Sequence, residues 1–384
     1  MLILLNIIFQ ILLLRINSED PKIIDASYDF TGGTMLMTIG VGSLSTIRGV
    51  RIDIQRNFTY LYLYPTDEKS TIKRNGRGKI TIQNRISYAS IVEDFIFLTD
   101  EKFSNVRTSF YLYSLKDINV AETVGLGYNY ANKSFSLVHN LYEKGAIGKL
   151  KFAFGDKGKL FLGGIPTKLR DDLFRYGECN VNNHYTEWNC RLYSMMILNN
   201  DGKSIFEGVI NENIIFSSLN KLFFVPEQVY HTIKLKVFSH YLGNKTCSET
   251  ATTESEGYYI LTCISKEIQY CPKISFILGN NKFELTKKEL FDCDQMGKCI
   301  FLIRKSPFKE NQWVFGTNFY KKFTTEFDFE KEKIYFYSKE QNWIGLTKPR
   351  IILILVFFVI MFILLVNIGI FWSVSNKRQI MFSM

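Results

Sequence analysis

Seven cysteines are the residues whose type and spacing most readily do chemistry in this chain of 384 residues. They are Cys179, Cys190, Cys247, Cys263, Cys271, Cys293 and Cys299. None forms the closely spaced pair of a structural zinc site, so no metal and no cofactor is expected. In an oxidising compartment they read as disulfides, with one cysteine left over because the number is odd. Asn57, Asn132 and Asn244 each open an Asn-X-Ser/Thr sequon and are glycosylation candidates on a secreted surface. The net charge of +10 could suit nucleic acid. The basic residues are scattered, however, and no nucleic-acid motif occurs, so a solvated basic surface is expected and no nucleic acid.

The elements that must position these residues are mostly strands. Hydrophobic residues make up 46% of the chain and charged ones 22%, which supports a packed core. The 33 phenylalanines and 21 tyrosines favour strands over helices. Short alternating runs at 34–39, 79–83, 95–98, 149–154 and 159–162 are separated by turn chemistry at Gly32-Gly33, Asn75-Gly76, Gly163-Gly164 and Asn200-Asp201-Gly202. The pattern predicts an all-β protein, with short helices at 226–235 and 286–290.

Both ends stand apart from this body. Residues 2–14 are almost wholly apolar and have the length of a signal-peptide core, which predicts a signal peptide over 1–18. No Lys or Arg precedes the run and no cleavage site is clear, so an uncleaved anchor or a buried first strand stays open. A second apolar segment opens at Ile351 and closes at Trp372, long enough to span a bilayer as one helix. Its flanking charges balance. With a cleaved signal, the expectation is a single-pass type I membrane protein of the secretory pathway or cell surface. Its body would be lumenal or extracellular, and 373–384 would form a short cytosolic tail.

The chain resembles the pepsin-like aspartic peptidases. The clearest stretch is Trp313-Val-Phe-Gly-Thr-Asn-Phe-Tyr-Lys-Lys-Phe-Thr-Thr-Glu-Phe-Asp328, followed by Lys333-Ile-Tyr-Phe336. Val124-Gly-Leu-Gly-Tyr128, Lys159-Leu-Phe-Leu-Gly-Gly-Ile165, Phe223-Phe-Val-Pro-Glu227 and Cys271-Pro-Lys-Ile-Ser-Phe-Ile-Leu-Gly279 follow the family's order as well. The resemblance implies a bilobal all-β fold, with an N-terminal lobe over 19–190 and a C-terminal lobe over 191–345. Its cleft would be closed by a flap hairpin, on which Ile82 falls at the family's tyrosine and Arg85 and Ala89 where glycines are expected. It also implies a late disulfide that fits Cys263 with Cys299, inside which Cys271 with Cys293 could nest. Cys179 with Cys190 would close a short loop, leaving Cys247. The sequence alone does not fix this connectivity.

Each lobe of that family supplies one Asp-Thr/Ser-Gly turn. Two carboxylates share a proton, one acting as base on water and the other as acid toward the peptide carbonyl. No Asp-Thr-Gly or Asp-Ser-Gly occurs in this chain. Counting back from Pro65 places Arg56 at the first aspartate position, and counting back from Pro226 places Ser217 at the second. Asp53 lies three residues before Arg56; moving it into place would break the apolar pattern of the next strand or require a deletion. Arginine stays protonated at ordinary pH and cannot act as the base. Among four histidines only His231 is near Ser217, and on the helix 226–235 it reads as a surface residue. Gly127 and Gly316 are expected to back the two turns.

Catalytic residues are therefore expected to be absent. The expected function is that of a membrane-anchored pepsin-like protein without proteolytic activity that holds a peptide or protein ligand in the interlobe cleft. The alternatives are an endopeptidase with a shifted dyad that uses Asp53, or a structural surface glycoprotein.

Overall fold

The computed structural model of the chain describes residues 22–31, 33–41, 46–56, 58–63, 73–82, 85–97, 107–114, 121–128, 136–182, 187–251, 259–268, 271–307, 312–339, 356–357 and 359–368. The expected signal segment, Asn57, Asn132, the ends of the expected membrane span and the tail after it lie outside these residues. Residues 1–166 with 176–336 form one compact unit, and 167–175 with 337–384 a second. The second contains the short helix Thr167–Asp171 and helical residues at 356–357 and 359–368, where Phe362 and Ile368 are exposed. No helix among the described residues is long and apolar enough to cross a membrane.

The first unit is built on strands, as the alternation demands. In Thr34–Val41 the side chains of Met35, Met37, Ile39 and Val41 are buried, the period of two that turns one face of a strand inward. Thr123–Gly125, Phe223–Val225 and Trp313–Phe315 are buried at every position, as strands covered on both faces must be. Among the described residues the strands form sheets of thirteen, seven and four members.

The chain closes on itself. Thr324–Asp328, near its end, pairs antiparallel with Lys151–Gly155 from its first half. Phe327 stacks on Phe152 with ring centroids 4.6 Å apart, and the Trp188 ring packs edge-on against Phe327 and Phe329. Each such ring contributes on the order of 1.5–3 kcal/mol by leaving water. Lys151 lies 2.6 Å from Asp328 and 3.3 Å from Glu326 across the same strands. Burial works against its ammonium, but the two carboxylates outweigh burial and raise its pKa.

The two expected helices are present with shifted ends. Pro226 caps Glu227–Ile233, which continues through a π-turn at Lys234–Phe238 into Ser239–Gly243. His231 is exposed on the first of these. Lys287–Leu290 begins after Thr286, whose N–H donates to the Glu289 carboxylate at 2.8 Å, half of a capping box. The expected flap is a hairpin of Lys73–Ile82 with Arg85–Phe97, and Ile82 pairs with Arg85 at its closing end.

Three disulfides join Cys179 to Cys190, Cys247 to Cys263 and Cys293 to Cys299, and Cys271 is a free, buried thiol. The first pairing agrees with the expectation; Cys263 with Cys299 and Cys271 with Cys293 do not. The reason is the sheet made by Cys247–Ala251, Tyr259–Ile264, Lys298–Phe301 and Phe291–Cys293. It sets four cysteines in one row, Cys247 opposite Cys263, Cys263 opposite Cys299 and Cys299 opposite Cys293. The two outer contacts of the row are bonded, with Cα atoms 4.1 and 3.9 Å apart. Cys271 precedes a strand of a different sheet, and burial pushes its thiol up to about 12.

Candidate functional site

Two strand-to-turn corners meet inside the first unit, one at the end of Thr46–Asp53 and one at the end of Ser204–Phe216. Each strand ends beside a short parallel partner. Ile52 and Asp53 pair with Val124 and Gly125, and Ile215 and Phe216 pair with Val314 and Phe315. Each partner leads to a glycine held against the backbone of the turn. A Cβ on Gly125 would lie 2.3 Å from the Phe58 carbonyl oxygen and 2.7 Å from that of Arg56. A Cβ on Gly316 would lie 2.3 Å from the Leu222 oxygen and 2.6 Å from that of Asn220. Only glycine permits either approach.

These contacts relate the two corners residue by residue. Gly125 corresponds to Gly316, Arg56 to Asn220 and Phe58 to Leu222. The register then sets Asp53 against Ser217 and Ile54 against Ser218. The hydrogen bonds inside the turns agree. The Gln55 N–H donates to Asp53 Oδ1 at 2.9 Å, and the Leu219 N–H donates to Ser217 Oγ at 3.2 Å.

Arg56 is therefore not the counterpart of Ser217; Asp53 is. The proline count misplaced it for a physical reason. Phe224 pairs with Val314 and Tyr60 with Thr123, so the position equivalent to Pro226 is Tyr62 and not Pro65. Gly127 is likewise not the equivalent of Gly316. Its N–H donates to the Arg56 carbonyl one step beyond the close approach made by Gly125.

Asp53 is 2% exposed. Burial raises its carboxyl above the usual carboxylate range, opposed by the Arg56 guanidinium and by the N–H groups of Gln55 and Arg56. Arg56 Nε lies 3.1 Å from Asp53 Oδ2, while its Nη1 donates to the Tyr60 hydroxyl at 3.3 Å. The Thr123 hydroxyl stands 3.0 Å from the same phenol oxygen. Burial also raises the Tyr60 pKa. The single carboxylate of the paired corners thus has a fixed partner within its own turn. Ser217, also 2% exposed, answers it with a hydroxyl.

Ser218 joins the corners. Its hydroxyl accepts from the Ile54 N–H at 3.1 Å and donates to the Ile52 carbonyl at 2.6 Å. Ile54, its counterpart, has no hydroxyl to return, so the crossing is one-sided. The turn at Gly33 adds further ties: Met35 N–H to the Ser218 carbonyl at 2.9 Å, Thr34 Oγ1 to the Leu219 carbonyl at 2.7 Å, and Thr317 Oγ1 to the Gly33 carbonyl at 3.1 Å. Ser218 and Tyr60 escaped the sequence reading. The signal for Ser218 was its place after Ser217, where a hydroxyl residue is expected.

Among the other candidates, Asn244 is exposed and its side-chain oxygen accepts from the Thr246 N–H at 3.1 Å. Among the described residues no cluster of His, Cys, Asp and Glu could hold a metal ion. A search of curated proteins returned no match. The sequence profile of the family described as eukaryotic aspartyl protease matches residues 119–339. The match begins beyond Asp53 and covers Ser217, the second corner and the closing strands. With more than half of its length matched, and with two glycine-backed corners related residue by residue, the chain belongs to the eukaryotic aspartyl protease family.

Proposed function

We propose that this protein is a non-proteolytic, membrane-anchored member of the family that holds a peptide or protein partner on its pepsin-like scaffold. The observation that carries the reading is the unequal pair of corners, a buried Asp53 bound to Arg56 against a Ser217 hydroxyl. Peptide hydrolysis in this family's manner needs two carboxylates that exchange base and acid roles over one shared proton. A serine hydroxyl does not supply the second proton site. Arg56 further holds Asp53 by charge and hydrogen bonding within its own turn, while burial still raises the carboxyl above the usual carboxylate range. The nearest alternative, a peptidase working through Asp53, now has its first carboxylate but lacks the second.

The anchor rests on the apolar segment from Ile351 to Trp372, and the lumenal or extracellular placement on the three disulfides. The test uses the full chain purified in detergent, incubated at acidic pH with a peptide library and compared with an Asp53→Ala variant. No cleavage by either protein is expected, together with enrichment of particular peptides on the intact chain. Pepstatin-sensitive cleavage that disappears in Asp53→Ala overturns the reading. Absence of both cleavage and enrichment favours a purely structural surface role.

A further inference from the structure

The strand Ser204–Phe216 is paired on one side with Asn189–Leu198 along nearly its whole length. On its other side Trp313–Phe315 reaches only Ile214, Ile215 and Phe216. Among the described residues no strand covers 204–213 on that side. About ten residues of backbone are thus left with an open edge, a template for another strand. Its side chains add to the invitation. Val209 is 86% exposed and Ile205 42%, with Tyr193 exposed on the neighbouring strand.

Where the edge becomes free, a cavity of about 600 Å³ opens, lined by Arg191, Asn213, Ile215, Gln228 and Trp313 among others. Its lining includes two carboxylates, Glu212 and Glu227. Asn213 Oδ1 is buried and receives no hydrogen bond. Glu212 accepts only the Trp313 indole N–H, at 2.6 Å, among the bonds described for it. The guanidinium of Arg191 is turned to Asn211 Oδ1 at 2.9 Å. The stretch 204–213 carries Glu207 and Glu212 and no basic residue, within a chain of net charge +10. Screening over about 8 Å makes these local carboxylates, and not the distant positive charge, what an approaching segment meets.

We propose that this edge and its cavity dock an extended, basic segment of a partner protein. The segment adds a strand beside residues 204–213, its β-branched side chains lie over Val209 and Ile205, and one Lys or Arg enters the cavity toward Glu212 and Asn213. A second copy of this chain would bring the same two carboxylates to the same edge, so charge favours a basic foreign strand. The open edge 204–213 precedes the second corner, with which the cavity shares Ile215 and Trp313, and the proposal does not depend on a peptide bound at the corners.

The test is fluorescence anisotropy of the full chain with a labelled nonapeptide that alternates valine and threonine with arginine. Saturable binding is expected, at least tenfold weaker when the arginines become glutamates. Val209→Asp, at an exposed position that leaves melting unchanged, weakens it at least fivefold, and Glu212→Gln weakens it severalfold. Methylation of alternate peptide nitrogens weakens binding at least tenfold in one frame and less than twofold in the other, because only one frame faces the edge. Equal loss in both frames, unchanged affinity in Val209→Asp, or a chain dimer that Val209→Asp dissolves overturns the proposal. Asp53→Ala binds as the wild type does; weakening there would move the peptide to the corners and overturn the edge site while leaving the cleft reading intact.

Discussion

The corner at Asp53 and the corner at Ser217 have the same backbone and different chemistry. Both end a long strand, both lie beside a three-residue strand, and both are backed by a glycine whose added Cβ would lie 2.3 Å from a backbone carbonyl oxygen. One holds a buried carboxylate and its arginine; the other holds two hydroxyls, of which Ser218 does the crossing. The difference teaches that the backbone frame of such a site is held by glycine approach and main-chain bonding, which do not depend on the acid. The frame can therefore persist when one carboxylate is absent.

The comparison can be broken most forcefully at the glycines. Gly125→Ala and Gly316→Ala each drive a methyl into a carbonyl oxygen within the core, and each is expected to cost more than about 4 kcal/mol or abolish folding. Thermal melts of the two variants should match. A variant that melts like the wild type would dissolve the equivalence of the corners.

Next in size is Ser218→Ala. It strands the Ile54 N–H and the Ile52 carbonyl in the interior, for an expected loss of about 2–4 kcal/mol in denaturant titration. Ser217→Ala, one residue away, should lose far less. Equal losses would mean that the crossing is not carried by Ser218.

Arg56→Met sharpens the electrostatic half. It leaves Asp53 buried without its guanidinium and should cost about 1–3 kcal/mol at neutral pH, discounted because the Arg56 side chain is a quarter exposed. The pH dependence has a definite sign. A carboxyl whose folded pKa is raised binds its proton more readily in the folded chain. Its contribution to stability is therefore fullest in acid and is lost as pH rises through the raised value. Arg56→Met removes an interaction that lowers this pKa, so its deficit should shrink on acidification. Chemical denaturation at pH 4 and pH 7 reads this directly, and a deficit that grows in acid would contradict the pairing.

The smallest effect belongs to the turn acceptors. Ser217→Ala and Asn220→Ala each remove an oxygen that receives a nearby N–H, from Leu219 at 3.2 Å and from Leu222 at 3.1 Å. Both N–H groups lie in partly exposed turns where water can replace the lost oxygen, so about 0.5–1.5 kcal/mol is expected for each. A larger loss for Ser217 alone would show that its hydroxyl makes a contact across to the other corner.

Much of the fold was legible because it is local. Alternation in Thr34–Val41, the apolar runs at 223–225 and 313–315, and the short helix near 286–290 are read within a few residues, where the side-chain period of a strand or the first turn of a helix acts. The second corner was legible too, since Pro226 follows Phe223–Val225 directly and no aspartate lies near enough to compete with Ser217.

What the sequence by itself determined is the β-rich class and the family. What only the tertiary structure decided is the partner of Ser217 and the pairing of the cysteines. Asp53 takes the place first given to Arg56 because strand register against Thr123–Gly125, and not distance to a proline, sets which residue reaches the corner. Cys247, Cys263, Cys299 and Cys293 stand in one row because three separate strand pairings bring them there. Both outcomes depend on contacts between segments far apart in the chain, and the period of a strand repeats every two residues without saying which neighbour it will meet.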